Sequence, residues 1–297
     1  MSLHRTPSPT ELTIVAPRRD VITHLREIVS YRELLFSLVR KELKVRYKHS
    51  TLGLLWSMIQ PLFLLLIYSV VFSVLGGGIP RLGIWIMSGL LVWTLVSTSV
   101  TTAVQSITAN GALVGKVRFP RAVLPTATVG AALIHFVLQF SAFALVLLVV
   151  RQPVDWAYMW LIPFAIAALV LFLVALGMMV AAMNVYARDT QHLLDMLILG
   201  WFWLTPIVFT YGLFLKYLAR HDLPDWLPML NPITPAVTVV QRAIYGKASV
   251  NGTSVLPDES VMWYLRNTAV LALVAVVMMY VALRVFDRAE VNMAESL

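Results

Sequence analysis

The sequence predicts an all-α integral membrane protein with six transmembrane helices, an N-terminal amphipathic interfacial helix and a re-entrant outer segment between helices five and six. Of its 297 residues, 59% are hydrophobic and only 13% are charged, whereas about a quarter of the residues of a soluble domain are charged. Long runs lack charge, and a basic amphipathic segment precedes the first of them. These observations exclude a soluble enzyme, a disordered protein and a disulfide-bonded scaffold. Because Cys is absent, thiol catalysis and cysteine zinc sites are excluded too.

The transmembrane helices are predicted from runs without Asp, Glu, Lys or Arg. A helix needs about 20 mainly apolar residues to cross a hydrocarbon core of about 30 Å. The six runs are 50–80, 82–115, 122–150, 152–187 (interrupted by Asp155), 196–215 and 267–283. The last is short, but Arg266 and Arg284 at its ends can extend their charges to the membrane surface.

A seventh uncharged run, 226–241, carries three prolines, Pro228, Pro232 and Pro235. Proline removes an amide donor and kinks a helix, so a straight crossing is unfavourable here. Irregular backbone is tolerated at membrane depth only against protein or a wet cavity. We therefore predict a re-entrant segment at about 224–246.

The basic residues indicate the orientation. If the N-terminus is cytoplasmic, sixteen of the 23 Lys and Arg residues fall on the cytoplasmic side. The positive-inside rule then predicts a multi-pass protein with both termini in the cytoplasm. The expected organisation is a disordered tail at 1–29, the interfacial helix at 30–49, a membrane domain at 50–288 and a cytoplasmic C-terminus at 289–297.

The segment 31–48 has the pattern of an amphipathic helix. Leu35, Val39, Leu43 and Tyr47 recur every four residues, and most charges take the opposite face. Such a helix is suited to the membrane interface, although a simple positive-inside anchor explains the spacing equally well. Its candidate contact residues are Arg40, Lys41, Lys44, Arg46, Tyr47 and Lys48.

The residues that follow carry a family resemblance. Residues 40–61, RKELKVRYKHSTLGLLWSMIQP, resemble the opening signature of ABC type-2 permeases that export polysaccharides, O-antigens and teichoic acids, with Lys41 where arginine is usual. Four later segments resemble further motifs of these permeases in the same order. They are KVRFPRAVLP at 116–125, NVYARDTQHLL at 184–194, TPIVF at 205–209 and NPITPAVTVVQR at 231–242. The resemblance covers roughly residues 30 to 288.

The resemblance implies that ATP is hydrolysed by a separate subunit. Residues 111–117, GALVGKV, only superficially match a phosphate-binding loop, since they are one residue short and end in Val117 instead of a hydroxyl residue. We therefore expect no enzyme activity and no cofactor on this chain, with ATP and Mg²⁺ on the partner. The coupling helix implied at about 112–124 would contact the ATPase through Lys116, Arg118, Phe119, Pro120 and Arg121.

The implied cargo is a glycan linked to a polyprenyl diphosphate, moved outward across the bacterial inner membrane. Sugar hydroxyls are costly to bury unpaired, so a continuous channel is needed, and the resemblance implies a homodimer with two ATPase subunits. The candidate channel-lining aromatics are Trp85, Trp93, Trp201, Phe202, Trp203, Phe209 and Tyr211. Packing explains the Trp201–Trp203 cluster equally well, and Trp85 also fits an aromatic belt at the membrane interface. An outer gate would involve Pro228, Asn231, Pro232, Pro235 and Arg242.

The alternatives belong to three classes. A drug or lipid exporter of the same ABC class would need only an alternating cavity. An ion-coupled carrier is disfavoured because its spans usually carry ionisable residues, and we expect His135 to be a buried neutral histidine with one hydrogen bond. An acyltransferase-like pair of His221 and Asp225 has the wrong spacing. Membrane lipids, and not nucleic acid, are the expected partners of the basic residues. An O-antigen or a cell-wall galactan is favoured over teichoic acid, because the Ala-, Val- and Arg-rich composition is typical of a GC-rich genome.

Overall fold

The computed structural model describes residues 21–48, 50–53, 55–75, 81–117, 119–247, 249–250 and 253–293. This part of the chain is mostly helical, with loops between the helices and one two-residue antiparallel strand pair. The helices are α1 (Val21–Ser30), α2 (Arg32–Arg46), α3 (Leu55–Leu75), α4 (Leu82–Gln105), α5 (Gly111–Lys116), α6 (Val123–Val149), α7 (Trp156–Met159), α8 (Leu161–Tyr186), α9 (Thr190–Trp203), α10 (Tyr211–Arg220), α11 (Thr234–Tyr245) and α12 (Val261–Met293). Short 3₁₀ helices occupy Thr108–Asn110 and Leu227–Leu230, and the strands are β1 (Ser249–Val250) and β2 (Thr253–Ser254).

The molecule is a multi-pass membrane protein. Four helical stretches in the described residues are long and apolar enough to cross a bilayer: Leu82–Gln105, Val123–Val149, Trp156–Tyr186 and Val261–Ala289. A fifth apolar stretch, Leu55–Val71 in α3, is shorter. The four long stretches match the second, third, fourth and sixth runs of the sequence.

The fifth run does not form one continuous helix. Helix α9 ends at Trp203, and α10 begins only at Tyr211. Between them lies Pro206, which has no amide N–H to continue the helical hydrogen bonds. The Thr205 hydroxyl donates to the carbonyl of Trp201 at 2.9 Å, which closes the last turn. The sixth helix, in contrast, extends beyond the predicted 267–283 at both ends.

The core is centred on α8, which packs against α4, α6 and α12. Small residues allow close approach, as they do in many membrane helix pairs. At Gly177 of α8, a Cβ atom would lie 3.0 Å from the Cβ of Ala103 on α4. Helix α11 packs against α4, α7 and α8, and all twelve of its residues are buried. The predicted re-entrant segment therefore contains a short helix enclosed by protein.

Candidate functional site

Helix α2 packs its apolar face on the membrane domain. Leu38 and Val39 are buried, and the Val39 side chain would lie 3.2 Å from a Cβ placed on Gly130 of α6. The candidate basic residues Arg40, Lys44, Arg46 and Lys48 are exposed. Lys41 is exposed along its stem but donates to the side-chain oxygen of Asn110 at 2.6 Å. The helix is thus fixed along one side and presents cations along the other.

The C-terminal end of α2 is joined to α6 by Tyr47 and His135. The Tyr47 hydroxyl lies 2.9 Å from Nε2 and 3.1 Å from Nδ1 of His135, and the two ring centroids are 5.4 Å apart. His135 is buried in the middle of α6. This confirms the prediction of a buried, hydrogen-bonded histidine.

A cavity of about 660 Å³ opens beside this contact, between α2, α3, α4 and α6. Its volume is in the range that holds small ligands. The polar side chains that line it include Arg46, Tyr47, Gln60, Thr98, His135 and Gln139. Gln139 is only 6% exposed, and its side-chain oxygen has no hydrogen-bond partner among the described residues. A buried amide oxygen without a partner is costly, so the cavity contains a polar group that a bound hydroxyl or water would satisfy.

The apolar wall of the cavity comes mainly from α3. Trp56, Ile59 and Phe63 line it, and their side chains are exposed in the single chain. The cavity therefore combines one cation at the end of α2 with polar and apolar walls. That combination suits an amphiphile with an anionic head group.

The loop between α5 and α6 differs from the predicted coupling helix at 112–124. Helix α5 ends at Lys116, the chain bends, and α6 begins at Val123. Pro120, which is buried, cannot donate a helical hydrogen bond, so the helix is interrupted here. Lys116 and Val117 are exposed, Arg121 is half-buried, and Arg118 lies outside the described residues.

Phe119 anchors this loop within the protein. It is only 8% exposed and belongs to a buried cluster that includes Leu38, Val39 and Val114. The loop therefore shares a buried apolar cluster with α2, whereas Lys116 at the end of α5 is exposed. The contact of Phe119 with the ATPase stays a prediction, and in the single chain the Phe119 side chain is buried within this cluster.

The seven candidate aromatics fall into two groups. Trp85, Trp93 and Tyr211 are buried in the core of the chain, and Trp85 packs edge-on against Tyr245. The others lie around the end of α9, where rings follow one another from Trp93 through Phe202 and Trp203 to Phe209 with centroid separations of 5.4, 5.4 and 5.7 Å. Trp203 and Phe209 are exposed, whereas Trp201 and Phe202 are half-buried. Only the second group has rings that reach the surface.

Asn231 connects the break after α9 to the start of α11. Its side-chain oxygen accepts from Trp201 Nε1 at 2.9 Å and from the Ile233 amide at 3.1 Å. Its amide donates to the Thr205 hydroxyl at 2.9 Å. Pro228 and Pro232 are half-buried, whereas Pro235 is buried and is the second residue of α11. The candidate outer-gate residues other than Arg242 thus form a rigid connection between two helices.

Arg242, the remaining outer-gate candidate, is buried inside the chain. It is 1% exposed, its Nη2 lies 3.2 Å from Oδ2 of Asp155, and its guanidinium lies 4.3 Å from the Tyr158 ring centroid. It therefore contacts other parts of the same chain. No local sequence pattern indicates this pairing, since 87 positions separate the partners. The His221 ring contacts that of Tyr217 in a tilted arrangement, with the centroids 4.6 Å apart.

Comparisons with known proteins agree with this architecture. Residues 33–245 match the family model described as ABC-2 type transporter. The chain is similar to the O-antigen export system permease protein RfbA of Myxococcus xanthus, with 33% identity over 278 residues, which are 93% of this chain and 100% of the relative. It is also similar to a protein of the same name from Klebsiella pneumoniae, with 26% identity over 269 residues, covering 89% of this chain and 95% of the relative.

Proposed function

Because the chain belongs to the ABC-2 type transporter family, we propose that it is the membrane-spanning subunit of an ATP-driven exporter of lipid-linked polysaccharide, of O-antigen or cell-wall galactan type. The observation that carries the proposal is the 33% identity with an O-antigen export permease across the full length of that relative. A match of this extent includes α2, the α5–α6 loop and α11. The proposal that the chain is an exporter subunit therefore rests on similarity along the whole chain and not on one motif.

The lipid diphosphate end of the cargo would bind at the cavity beside α2. A diphosphate carries negative charge, and charge-assisted hydrogen bonds from Arg are among the stronger ones in proteins. Arg46 lines the cavity and the exposed cations of α2 precede it. The polyprenyl tail would lie along the exposed apolar side of α3, where Phe63 and Leu66 face outward.

The glycan would pass between two copies of the chain. In this arrangement α3 and the broken α9–α10 segment complete six crossings, with both termini in the cytoplasm of a bacterium and the protein in its inner membrane. Trp203 and Phe209 are exposed in the single chain, so they are the candidate aromatics best able to offer a ring face to a sugar. The segment around α11 would re-enter the membrane and act as the outer gate, held to the core by the Arg242–Asp155 ion pair.

Two ATPase subunits would bind at the α5–α6 loop. Among the described residues there, Lys116 and Val117 are exposed, and burial of Phe119 would make the loop stiff enough to transmit a push from the ATPase to α2 and α6. The chain itself would bind no nucleotide, and ATP with Mg²⁺ would be held by the partner.

The test is co-purification with the ABC ATPase encoded beside the gene, comparing Lys116→Glu with the control Arg220→Glu. Both residues are exposed, and Arg220 ends α10, away from the loop. We expect Lys116→Glu to lower ATPase recovery and surface polysaccharide in cells, with lipid-linked glycan accumulating inside, while Arg220→Glu has no effect on either. Equal recovery with both variants would overturn the coupling assignment. Unchanged surface polysaccharide in a deletion strain would overturn the cargo and favour a drug or lipid exporter.

A further inference from the structure

A second cavity, of about 690 Å³, lies at the opposite end of the molecule from the α5–α6 loop. It has three walls: one face of α10, the segment after α10 that carries Asp225 and Trp226, and the residues 256–267 that lead into α12. None of the proposed steps at α2, α9 or the α5–α6 loop uses it. We refer to it below as the α10–α12 cleft.

Two tryptophans flank the α10–α12 cleft. Trp226 is 60% exposed, and Trp263 is half-buried with its ring 5.0 Å from that of Tyr264. Trp263 is thereby packed against the core, whereas the exposed side chain of Trp226 is accessible to a ligand. Aromatic rings with a few polar groups around them are the usual composition of a small-ligand site.

Carboxylates stand beside the tryptophans. Asp225, Asp258 and Glu259 line the cleft together with two cations, Lys216 and Arg266, so the lining carries a net negative charge. The backbone that bears the acids is fixed by tyrosines: the Tyr158 hydroxyl donates to the Glu259 carbonyl at 3.0 Å, and the Tyr264 hydroxyl to the Pro257 carbonyl at 2.8 Å. The hydrogen bond from Lys247 holds the pKa of Asp258 below its ordinary value, so this acceptor stays ionised.

The charges separate two possible ligand classes. An anionic head group would meet three carboxylates and two cations in the lining, and the third nearby cation, Lys247, is already paired with Asp258. The lining therefore offers an anion no net attraction. An uncharged polyhydroxylated molecule suits the cleft better. Its hydroxyls can donate to carboxylates in charge-assisted hydrogen bonds, and its C–H faces can pack on the indole rings. A volume of about 690 Å³ accommodates one or two pyranose rings.

We propose that the α10–α12 cleft binds one or two uncharged sugar units, with Trp226 and Trp263 stacking on the ring faces and Asp258 and Glu259 accepting hydroxyl hydrogen bonds. The inference rests on the proposed function in one respect, namely that a glycan leaves the transporter at this end. The cleft would hold the emerging chain and hinder its return into the channel.

The experiment uses the permease alone in nanodiscs, because maltoside detergents carry a sugar head group that would compete. Linear tetrasaccharides of galactose, mannose and rhamnose are titrated while saturation-transfer difference NMR is recorded. We expect at least one of them to bind. Trp226→Ala is expected to weaken binding by about tenfold, which corresponds to about 1.4 kcal/mol. The matched control is Trp156→Ala, since Trp156 is 76% exposed and does not line the cleft.

The outcomes are distinguishable from those that bear on the proposed function. Absence of binding by all three saccharides, or an equal loss with Trp156→Ala, overturns the cleft assignment even if polysaccharide export is normal. Binding of phosphatidylglycerol in the cleft without binding of any saccharide also overturns the cleft assignment, because the ligand would then be an anionic lipid. Saccharide binding that is lost in Trp226→Ala and in Asp258→Asn/Glu259→Gln supports it, whatever the export assay shows. Intact saccharide binding together with unchanged surface polysaccharide in a deletion strain would count against the proposed function alone.

Discussion

The guanidinium of Arg242 lies 3.2 Å from the carboxylate of Asp155, and this ion pair fastens the buried helix α11 to the start of α7. The backbone reinforces the contact, since the Asp155 amide donates to the Ala243 carbonyl at 2.8 Å. The two partners differ in environment: the side chain of Arg242 is 2% exposed and that of Asp155 is 31% exposed. Two guanidinium nitrogens of Arg242, Nε and Nη1, have no hydrogen-bond partner among the described residues.

This asymmetry predicts different costs for removing each charge. Asp155→Asn leaves a buried guanidinium without its carboxylate, and breaking a buried pair in this way costs about 3–5 kcal/mol. Arg242→Met leaves a carboxylate that water can reach, so we expect a smaller loss, about 1–2 kcal/mol. The measurement is thermal unfolding of each variant in the same detergent.

The double variant Asp155→Asn/Arg242→Met provides the control. Because it removes the buried charge as well as its partner, it should unfold at a higher temperature than Asp155→Asn alone. Equal unfolding temperatures for the two single variants would contradict the asymmetry.

The loop between α5 and α6 gives a second prediction. Phe119→Ala should destabilise the protein by about 3–5 kcal/mol, because a large buried ring is replaced by a cavity. Val117→Ala, two positions earlier and 51% exposed, should change stability by less than about 0.5 kcal/mol. The free energy of unfolding is measured by denaturant titration in mixed micelles.

ATPase binding distinguishes a structural role of Phe119 from a direct contact of Lys116 with the ATPase. Loss of ATPase binding in Phe119→Ala should follow the loss of folded permease, whereas loss in Lys116→Glu should occur in fully folded protein. If Phe119→Ala folds normally and still fails to bind the ATPase, the ring contacts the partner after all.

Sequence reasoning predicted the elements better than the contacts. The apolar face of α2 could be identified from its spacing because one side of that helix is polar. The membrane helices are apolar on both their lipid-facing and core-facing sides, so periodicity could not separate buried Trp85 and Tyr211 from exposed Trp203. The break at Pro206 was visible as a proline, but its effect on the fifth run depended on the hydrogen bonds of Asn231 and Thr205. The pairing of Arg242 with Asp155 could not be predicted, because the two residues are far apart in sequence and meet only in the folded chain.

Close packing of α8 on α4 leads to a third prediction. At Gly177 an added Cβ would lie 3.0 Å from the Cβ of Ala103, whereas at Gly200 of α9 none of the described atoms lies within 4 Å of the added Cβ. Gly177→Leu should therefore overpack the core and cost at least about 1–3 kcal/mol. Gly200→Leu should leave the unfolding temperature of the single chain unchanged.

The variants at Gly177 and Gly200 also test whether the proposed channel lies between two copies that meet along α9. If two copies meet along α9, Gly200→Leu should lower transport or dimer recovery in the membrane without destabilising the protomer. Full transport by this variant would place the interface between copies elsewhere.

The contact between Tyr47 and His135 leads to a fourth prediction. Tyr47→Phe removes the hydroxyl 2.9 Å from His135 Nε2 and leaves a buried ring nitrogen without that partner, which should cost about 1–3 kcal/mol. The matched control is Tyr31→Phe at the exposed start of α2, where the loss should be within about 0.5 kcal/mol. Equal effects of the two variants on thermal unfolding would mean that the Tyr47 hydrogen bond contributes nothing to holding α2 on α6.

The cavity beside α2 gives the last prediction, which concerns binding and not stability. Arg46 and Arg40 are both exposed on α2, but only Arg46 lines the cavity. If the cavity holds a diphosphate, Arg46→Gln should weaken binding of farnesyl diphosphate to nanodisc-embedded permease by about tenfold or more, because hydrogen bonds to charged groups contribute about 1.5–3 kcal/mol. Arg40→Gln should change it by less than about threefold, since an exposed charge outside the site acts only through screened long-range attraction. The two effects also differ in their response to salt: raising the ionic strength should remove the small effect of Arg40→Gln and leave most of the effect of Arg46→Gln. Equal losses with both variants, both abolished by salt, would mean that α2 attracts the head group through its overall charge and that the cavity is not its binding site.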